Sequence, residues 1–291
     1  DRRFPVCRTC GVTAQEYSVT KSFCNVVGKI IEPHGLDKAI LNSNVGIIEE
    51  ISKSSHLNPL DKAAIINNYK QIIKEYKNCE EVIDKAKAFL SLKADPKKVD
   101  EDWFTFFFDK VKLISNENVQ EMWAKILAGE VNQPGKFSKS LIHSLSVIDD
   151  SQARVFCNIS RYCMHEKNSE NIHPIIFIAS NVDTYKALGI DFESLIELQN
   201  LGLLQCNFEK EFIFTGRKYL VYGNRVIEVY GTQKSKKKIK VGNVLLTKNG
   251  QTLYEIVDPI YKEFDNNILE FIVDKLIKRK CEIIINNKRI D

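Results

Sequence analysis

The chain has 291 residues, 44% of them hydrophobic and 27% charged, enough for one large or two to three small domains with real cores. That composition excludes a mainly disordered chain, and 13 Gly with 7 Pro exclude collagen and low-complexity repeats. A net charge of +4, from 42 basic and 38 acidic residues, is too small to imply a nucleic-acid partner by itself.

No apolar run reaches the ~18–20 residues of a bilayer span. The sequence opens at Asp1 without a charged-then-apolar leader, so no signal peptide is expected. Cysteines at 7, 10, 24, 79, 157, 163, 206 and 281 are too scattered for a disulfide framework. A reducing cytoplasm is therefore the expected compartment.

Residues 1–20 are polar and irregular. From about 21 a helical stripe of Phe23, Val26, Val27, Ile30 and Ile31 runs to a stop at Pro33-His34-Gly35. A second helix is expected over 36–52. Asn58-Pro59 reads as a cap and first helical position, opening a third helix that continues or kinks into 82–92. Acids at 100–102 suit the start of a fourth, with Trp103, Phe104, Phe107, Phe108 and Val111 inward. Ser115 can cap a fifth, whose Val119, Met122, Trp123, Ile126 and Leu127 line one side. Ser138, and Asp149 or Asp150, can cap two more. After 170 the period changes. A short β-like run, 172–179, precedes a helix over 191–203. Then come β-rich segments at 211–215, 219–222, 226–230 and 239–247, punctuated by Gly216, Gly223-Asn224 and a lysine run. Helical parts at 251–257 and 260–280 and a closing strand at 281–285 follow.

The run Asp102-Trp103-Phe104, then Gln120-Glu-Met-Trp123-Ala-Lys-Ile-Leu-Ala-Gly129-Glu130, then Pro134-Gly135-Lys-Phe-Ser138 resembles the centre of an uncharacterised bacterial family, a domain of unknown function. Tyr69-Lys-Gln with Lys77-Asn78, Ile83 and Ala86 is similar to the helix before that centre. Leu198-Gln-Asn-Leu-Gly202-Leu, Leu246-Thr247-Lys-Asn-Gly250 and Leu253 are similar to its C-terminal part. The resemblance spans about residues 25–260 and brings no catalytic residue. A looser similarity to abortive-infection (phage-resistance) proteins implies a helical region followed by a winged-helix-like end. The expected fold is mainly α with a C-terminal α+β part, a helical bundle followed by a winged-helix-like domain. Its divisions are a Cys-containing segment (1–24), a helical domain (25–165) with the signature at 100–138, a winged-helix-like domain (166–258), and a C-terminal helix and short strand (259–291).

The aromatics around Trp103 and Trp123 read as core. Glu130 reads as a helix-terminal hydrogen-bonding group, with Asp102 or Glu121 as the second carboxylate if it were an acid or base. Arg161 and His165, four apart on one expected helix face, are the ribonuclease-type pair. His34, His56, His143 and His173 form no metal spacing with one another, and no Gly-rich phosphate loop, H-E-x-x-H or G-x-S-x-G is present. Cys7-x-x-Cys10 has the spacing of a zinc knuckle, with Cys24 and His34 as the nearest further ligands. Residues 214–250 hold nine basic residues and one acid, a local +8. Arg217, Lys218, Lys234, Lys236, Lys237, Lys238 and Lys240 are the candidate phosphate contacts of a wing. The helix over 191–203 carries Asp191, Glu193 and Glu197 and no base, against major-groove reading.

These readings converge on a non-enzymatic bacterial cytoplasmic interaction protein, a sensor or effector component of phage defence with a protein partner or self-association. A nucleic-acid-binding protein with a Lys-rich wing, and a metal-dependent or ribonuclease-type effector using zinc, stay open beside it.

Overall fold

Capping side chains set most of the helix starts in the first half of the chain. In the computed structural model, which describes residues 14–31, 44–177, 182–232, 237–261, 265–285 and 288–290, α1 is Ala14–Ile31, α2 Asn44–Lys53 and α3 Pro59–Ala86. Then come α4 (Glu101–Val111), α5 (Glu117–Asn132) and α6 (Lys139–Val147). The side chains of Asn58, Asp100 and Asn116 accept backbone N–H groups in the first turns of α3, α4 and α5, which would otherwise lack partners. Asn116, not Ser115, is the cap of α5.

Two expected boundaries move. α1 is already helical at Ala14 rather than from near 21; Glu16, Tyr17 and Ser18 are exposed, so no apolar stripe marks its first turns in the sequence. α3 does not run on to 92: it ends at Ala86 and tightens into a 3-10 turn, Lys87–Phe89. The first residues of the second expected helix, 36–43, lie outside the described residues.

The core of this half is aromatic. Trp103 stacks on Phe107 with centroids 5.0 Å apart, and Phe107 meets Trp123 edge-on at 5.4 Å. All three, with Phe104, Ile126 and Leu127, are buried, as the helical spacing predicts. The chain divides into two compact units between His143 and Ser144, a point within α6.

The second unit contains α7 (Asp150–Ser160), β1 (Cys163–Glu166), β2 (Ile172–Pro174), α8 (Val182–Lys186), α9 (Phe192–Asn200), β3 (Leu204–Cys206) and β4 (Phe212–Thr215). It continues with β5 (Arg217–Tyr222), β6 (Arg225–Gly231), β7 (Lys238–Gly242), β8 (Val244–Leu246), α10 (Lys248–Tyr261), α11 (Asn266–Lys278), β9 (Cys281–Ile285) and β10 (Lys288–Ile290). Asp149 with Gln152 forms a capping box on α7, and Asp191 with Ser194 another on α9. A six-stranded antiparallel sheet has the order β10-β9-β6-β5-β1-β2, and β3–β8 and β4–β7 form separate two-stranded ladders.

The β-rich stretch is therefore not one hairpin. β5 and β6 pair with each other and β6 pairs with the closing strand β9, as in Val229↔Ile283. The ladder that directly follows α9 and precedes α10 is β3–β8, Leu204↔Leu246 to Cys206↔Val244. The expected strand over 239–247 breaks at Asn243. Gly242 there has φ +114, and a Cβ on it would lie 2.1 Å from the Ile176 carbonyl oxygen. Only glycine lets the two backbones come this close.

Alternation gives the six-stranded sheet two unlike faces. Leu220, Tyr222, Ile227, Val229 and Ile283 point to one face and are 0–1% exposed. Tyr219 and Val226 point to the other and are 42% and 36% exposed.

Candidate functional site

The 100–138 signature builds a loop clamp. Glu130, at the end of α5, is 2% exposed. Its Oε1 accepts the Gly135 N–H at 2.6 Å and its Oε2 the Phe137 N–H at 2.8 Å. Trp103 Nε1 donates to the Phe137 carbonyl at 2.6 Å. A Cβ on Gly129 would fall 2.7 Å from the Phe137 ring, so glycine lets the loop close over the helix. Gln120 is buried and donates to the Ile114 carbonyl, while Lys85 donates to its oxygen at 2.8 Å. Ser138 Oγ accepts the Leu141 N–H and starts α6. Asp102 is exposed, and Glu121 pairs with Lys125 at 2.9 Å on the surface of α5. The Glu130 carboxylate is committed to the loop.

Arg161 and His165 do not share a helix face. Arg161 follows the last residue of α7 and pairs with Asp265 at 3.1 Å. His165 lies on β1, its Nε2 3.2 Å from the Tyr254 hydroxyl. The helix ends because β1 pairs with β2 and β5, a long-range constraint that four-residue spacing does not encode.

Of the zinc candidates, Cys7, Cys10 and His34 lie outside the described residues, and Cys24 sits half-buried on α1. Among the described residues no group of three or more His, Cys, Asp or Glu is placed to hold a metal ion. The Cys79 thiol is pushed up to about 12 by burial, which disfavours thiolate chemistry there.

The basic stretch divides by partner. Arg217 Nη1 lies 2.7 Å from Glu228 Oε1, an ion pair out of hydrogen-bond alignment. Lys218 reaches Glu166 at 2.6 Å, and Lys240 reaches Glu211 at 3.4 Å. Glu211 is shared with Arg279, whose guanidinium lies 3.6 Å from the Phe177 ring centroid. Two of these acids, Glu166 and Glu211, come from outside 214–250, so local sequence charge overstates the local field. Lys237 and Lys238 are exposed at the start of β7, and Lys234 and Lys236 lie outside the described residues. A further lysine joins from far along the chain. The Thr232 N–H and hydroxyl both donate to the Lys280 carbonyl, and the Lys237 N–H donates to the Thr232 carbonyl. Exposed Lys280 thus stands beside Thr232, which also bonds Lys237, although it lies 43 positions after Lys237; its only sequence signal is a basic residue before the closing strand.

Glu166 also accepts from His173 Nε2 at 3.2 Å. Burial lowers the His173 pKa below the ordinary imidazole value, with Glu166 opposing. Burial therefore favours the neutral imidazole, which can donate to Glu166 through Nε2, over an ion pair. The Lys218 ammonium holds the Glu166 carboxyl below the usual range.

A family model described as "Protein of unknown function (DUF2806)" matches residues 67–268. The chain belongs to this family. The matched span includes the whole Glu130 clamp and the strands from β1 to β8. No curated protein and no solved structure matches the chain. Among the described residues of this DUF2806 member, no helix is long and apolar enough to cross a membrane.

Proposed function

We propose that this DUF2806 protein is a non-enzymatic interaction protein that binds a protein partner on the open half of its six-stranded sheet. The observation that carries this reading is a contiguous surface of exposed and half-buried side chains on β5, β6 and β9. Val221 and Val226 are cross-strand partners, and Tyr219 and Ile284 flank Glu228 on either side. The other half of the same face is covered, with Cys163 and Ile172 buried and His165 against Tyr254 of α10. Arg217 with Glu228 and Arg289 with Glu282 border the open half, at 2.7 and 3.0 Å. Exposed and half-buried apolar side chains, with a paired Glu228 among them and charge-balanced ion pairs beside them, are the composition of a protein interface.

Supporting this reading, α9 offers Glu193 and Glu197 to solvent, which suits contact with protein better than a DNA groove. We take α8, α9, the β3–β8 ladder and α10 as the winged-helix-like part, serving as a scaffold. The setting we propose is bacterial and cytoplasmic, in phage defence; the last step rests on the looser similarity to abortive-infection proteins alone.

The test is affinity capture from phage-infected and uninfected cells with the parent and a Tyr219→Glu, Val226→Glu variant. The reading expects a partner held stoichiometrically by the parent and lost by the variant, with both melting alike. Equal capture by two equally stable proteins would remove the sheet face as the site. Self-association lost with the same variant, seen by sedimentation, would make a second copy the partner.

A further inference from the structure

We infer that Lys237, Lys238 and Lys280 form a phosphate-contacting surface for nucleic acid, at the end of the sheet where β6 runs out and β9 begins. The inference goes beyond the protein-contact reading and does not depend on it.

The first observation is the division of charge. Arg217, Lys218 and Lys240 each have a carboxylate within ion-pair distance. Lys237, Lys238 and Lys280 have no such partner among the described residues, and all three are exposed. Their neighbours Lys278 and Arg279 are engaged with Asp274 and Glu211. Those two acids are therefore already occupied, and the free positive charge concentrates at Lys237, Lys238 and Lys280. These residues are held together through the backbone. Thr232 bonds to Lys237 and Lys280, and Gly231 pairs with Cys281. A Cβ on Gly231 would come within 2.5 Å of the Lys237 carbonyl carbon, so glycine permits the approach.

The second observation is backbone conformation. Three described non-glycine residues have positive φ, and two of them are Lys237 (57°) and Lys280 (63°). Glycine or asparagine adopts that region at lower cost. A lysine stands at both positions instead, so each carries a long cationic side chain where the backbone favours a small residue.

The chemistry points to phosphate. Lysine ammonium groups supply charge without the planar fork that reads base edges. A surface built from them binds the polyanion backbone of either DNA or RNA, without sequence preference, and releases counterions.

The experiment measures binding of labelled duplex and single-stranded oligonucleotides of several sequences between roughly 50 and 200 mM salt. It uses the full chain and two triple variants of equal charge change. One is Lys237→Asn, Lys238→Ser, Lys280→Asn, with asparagine chosen to keep the two positive-φ positions. The other replaces the exposed α3 residues Lys70, Lys74 and Lys77 with Ser. The inference expects the first variant to weaken binding similarly for all sequences and to lower the log K against log salt slope by ~2–3, about one for each phosphate no longer neutralised. The α3 variant should change the slope by less than ~1. Both should melt like the parent. Equal losses in the two variants would reduce the effect to net charge and overturn the site. So would a parent that binds neither nucleic acid at low salt.

Discussion

Glu130 shows at the residue scale how a carboxylate can look catalytic in sequence and be structural in the fold. Both of its oxygens accept backbone N–H groups of the loop that follows α5. Glu130→Gln keeps the shape but presents an amide NH2 to one of those donors. The expected loss is ~1–3 kcal/mol, the cost of an unsatisfied buried donor, with the helical content retained; a urea midpoint equal to the parent's would refute the clamp. Trp123 is 1% exposed, and Trp123→Ala should cost ~3–5 kcal/mol, as for large aromatics removed from a core. His173 gives a pH signature. Its folded pKa lies below the ordinary 6.5 because of burial, so the unfolded chain takes up the proton more readily. Stability should therefore fall as pH drops below about 6.5. The depressed Glu166 contributes in the same direction at lower pH: its stabilisation is complete above the usual carboxyl value of 4.5 and fades below it. Urea midpoints of His173→Asn should flatten between pH 7 and 5 while the loss below pH 4.5 persists. An unchanged slope between pH 7 and 5 would show that His173 titrates normally.

At the scale of elements, what can be read in the sequence is local. Asn58 and Asp149 announce helix starts, because a cap and its N–H partners lie within three residues; Asp100 and Asp191 cap in the same way. The aromatic stripe of α4 is legible because helical spacing repeats within one turn. β1 is not legible: Cys-Met-His-Glu is short and without clear alternation, and pairing with β2 and β5 makes it a strand. The neighbour of β6 is equally hidden, since β9 lies some 50 positions later, and so is the meeting of Lys280 with the lysine run. Gly242 is the element-scale test. It separates β7 from β8 at φ +114 with the Ile176 carbonyl 2.1 Å from any added Cβ. Gly242→Ala should destabilise by more than ~1 kcal/mol, since alanine fits neither the φ nor the space. Thermal melting that matches the parent would mean the backbone shifts at little cost.

For the whole molecule, the span shared with the family and the unit that folds need not coincide. The DUF2806 match ends at Ile268, three residues into α11 and before β9. Yet β9 is an interior strand, between β10 and β6. Its Ile283 and Ile285 stand opposite Val229 and Ile227, and Ile227, Val229 and Ile283 are all 0% exposed. Ending the chain at Ile268 would uncover those side chains and turn β6 into a bare sheet edge with unpaired N–H and C=O groups. Such an edge, apolar on one face, is a site of aggregation. It would also remove most of α11, with its buried Ile272, Val273 and Leu276. Among the described residues, a chain cut after Ile285 loses only β10, whose three residues are all exposed. The shorter product should be insoluble or melt without cooperativity, and the longer one should melt within a few degrees of the parent, as expected when little buried surface is removed. Soluble yield, circular dichroism and thermal melting of the two products decide the matter. If the product ending at Ile268 unfolds as cooperatively as the parent, β9 and α11 are appendages, and the sheet closes on its own within the family span.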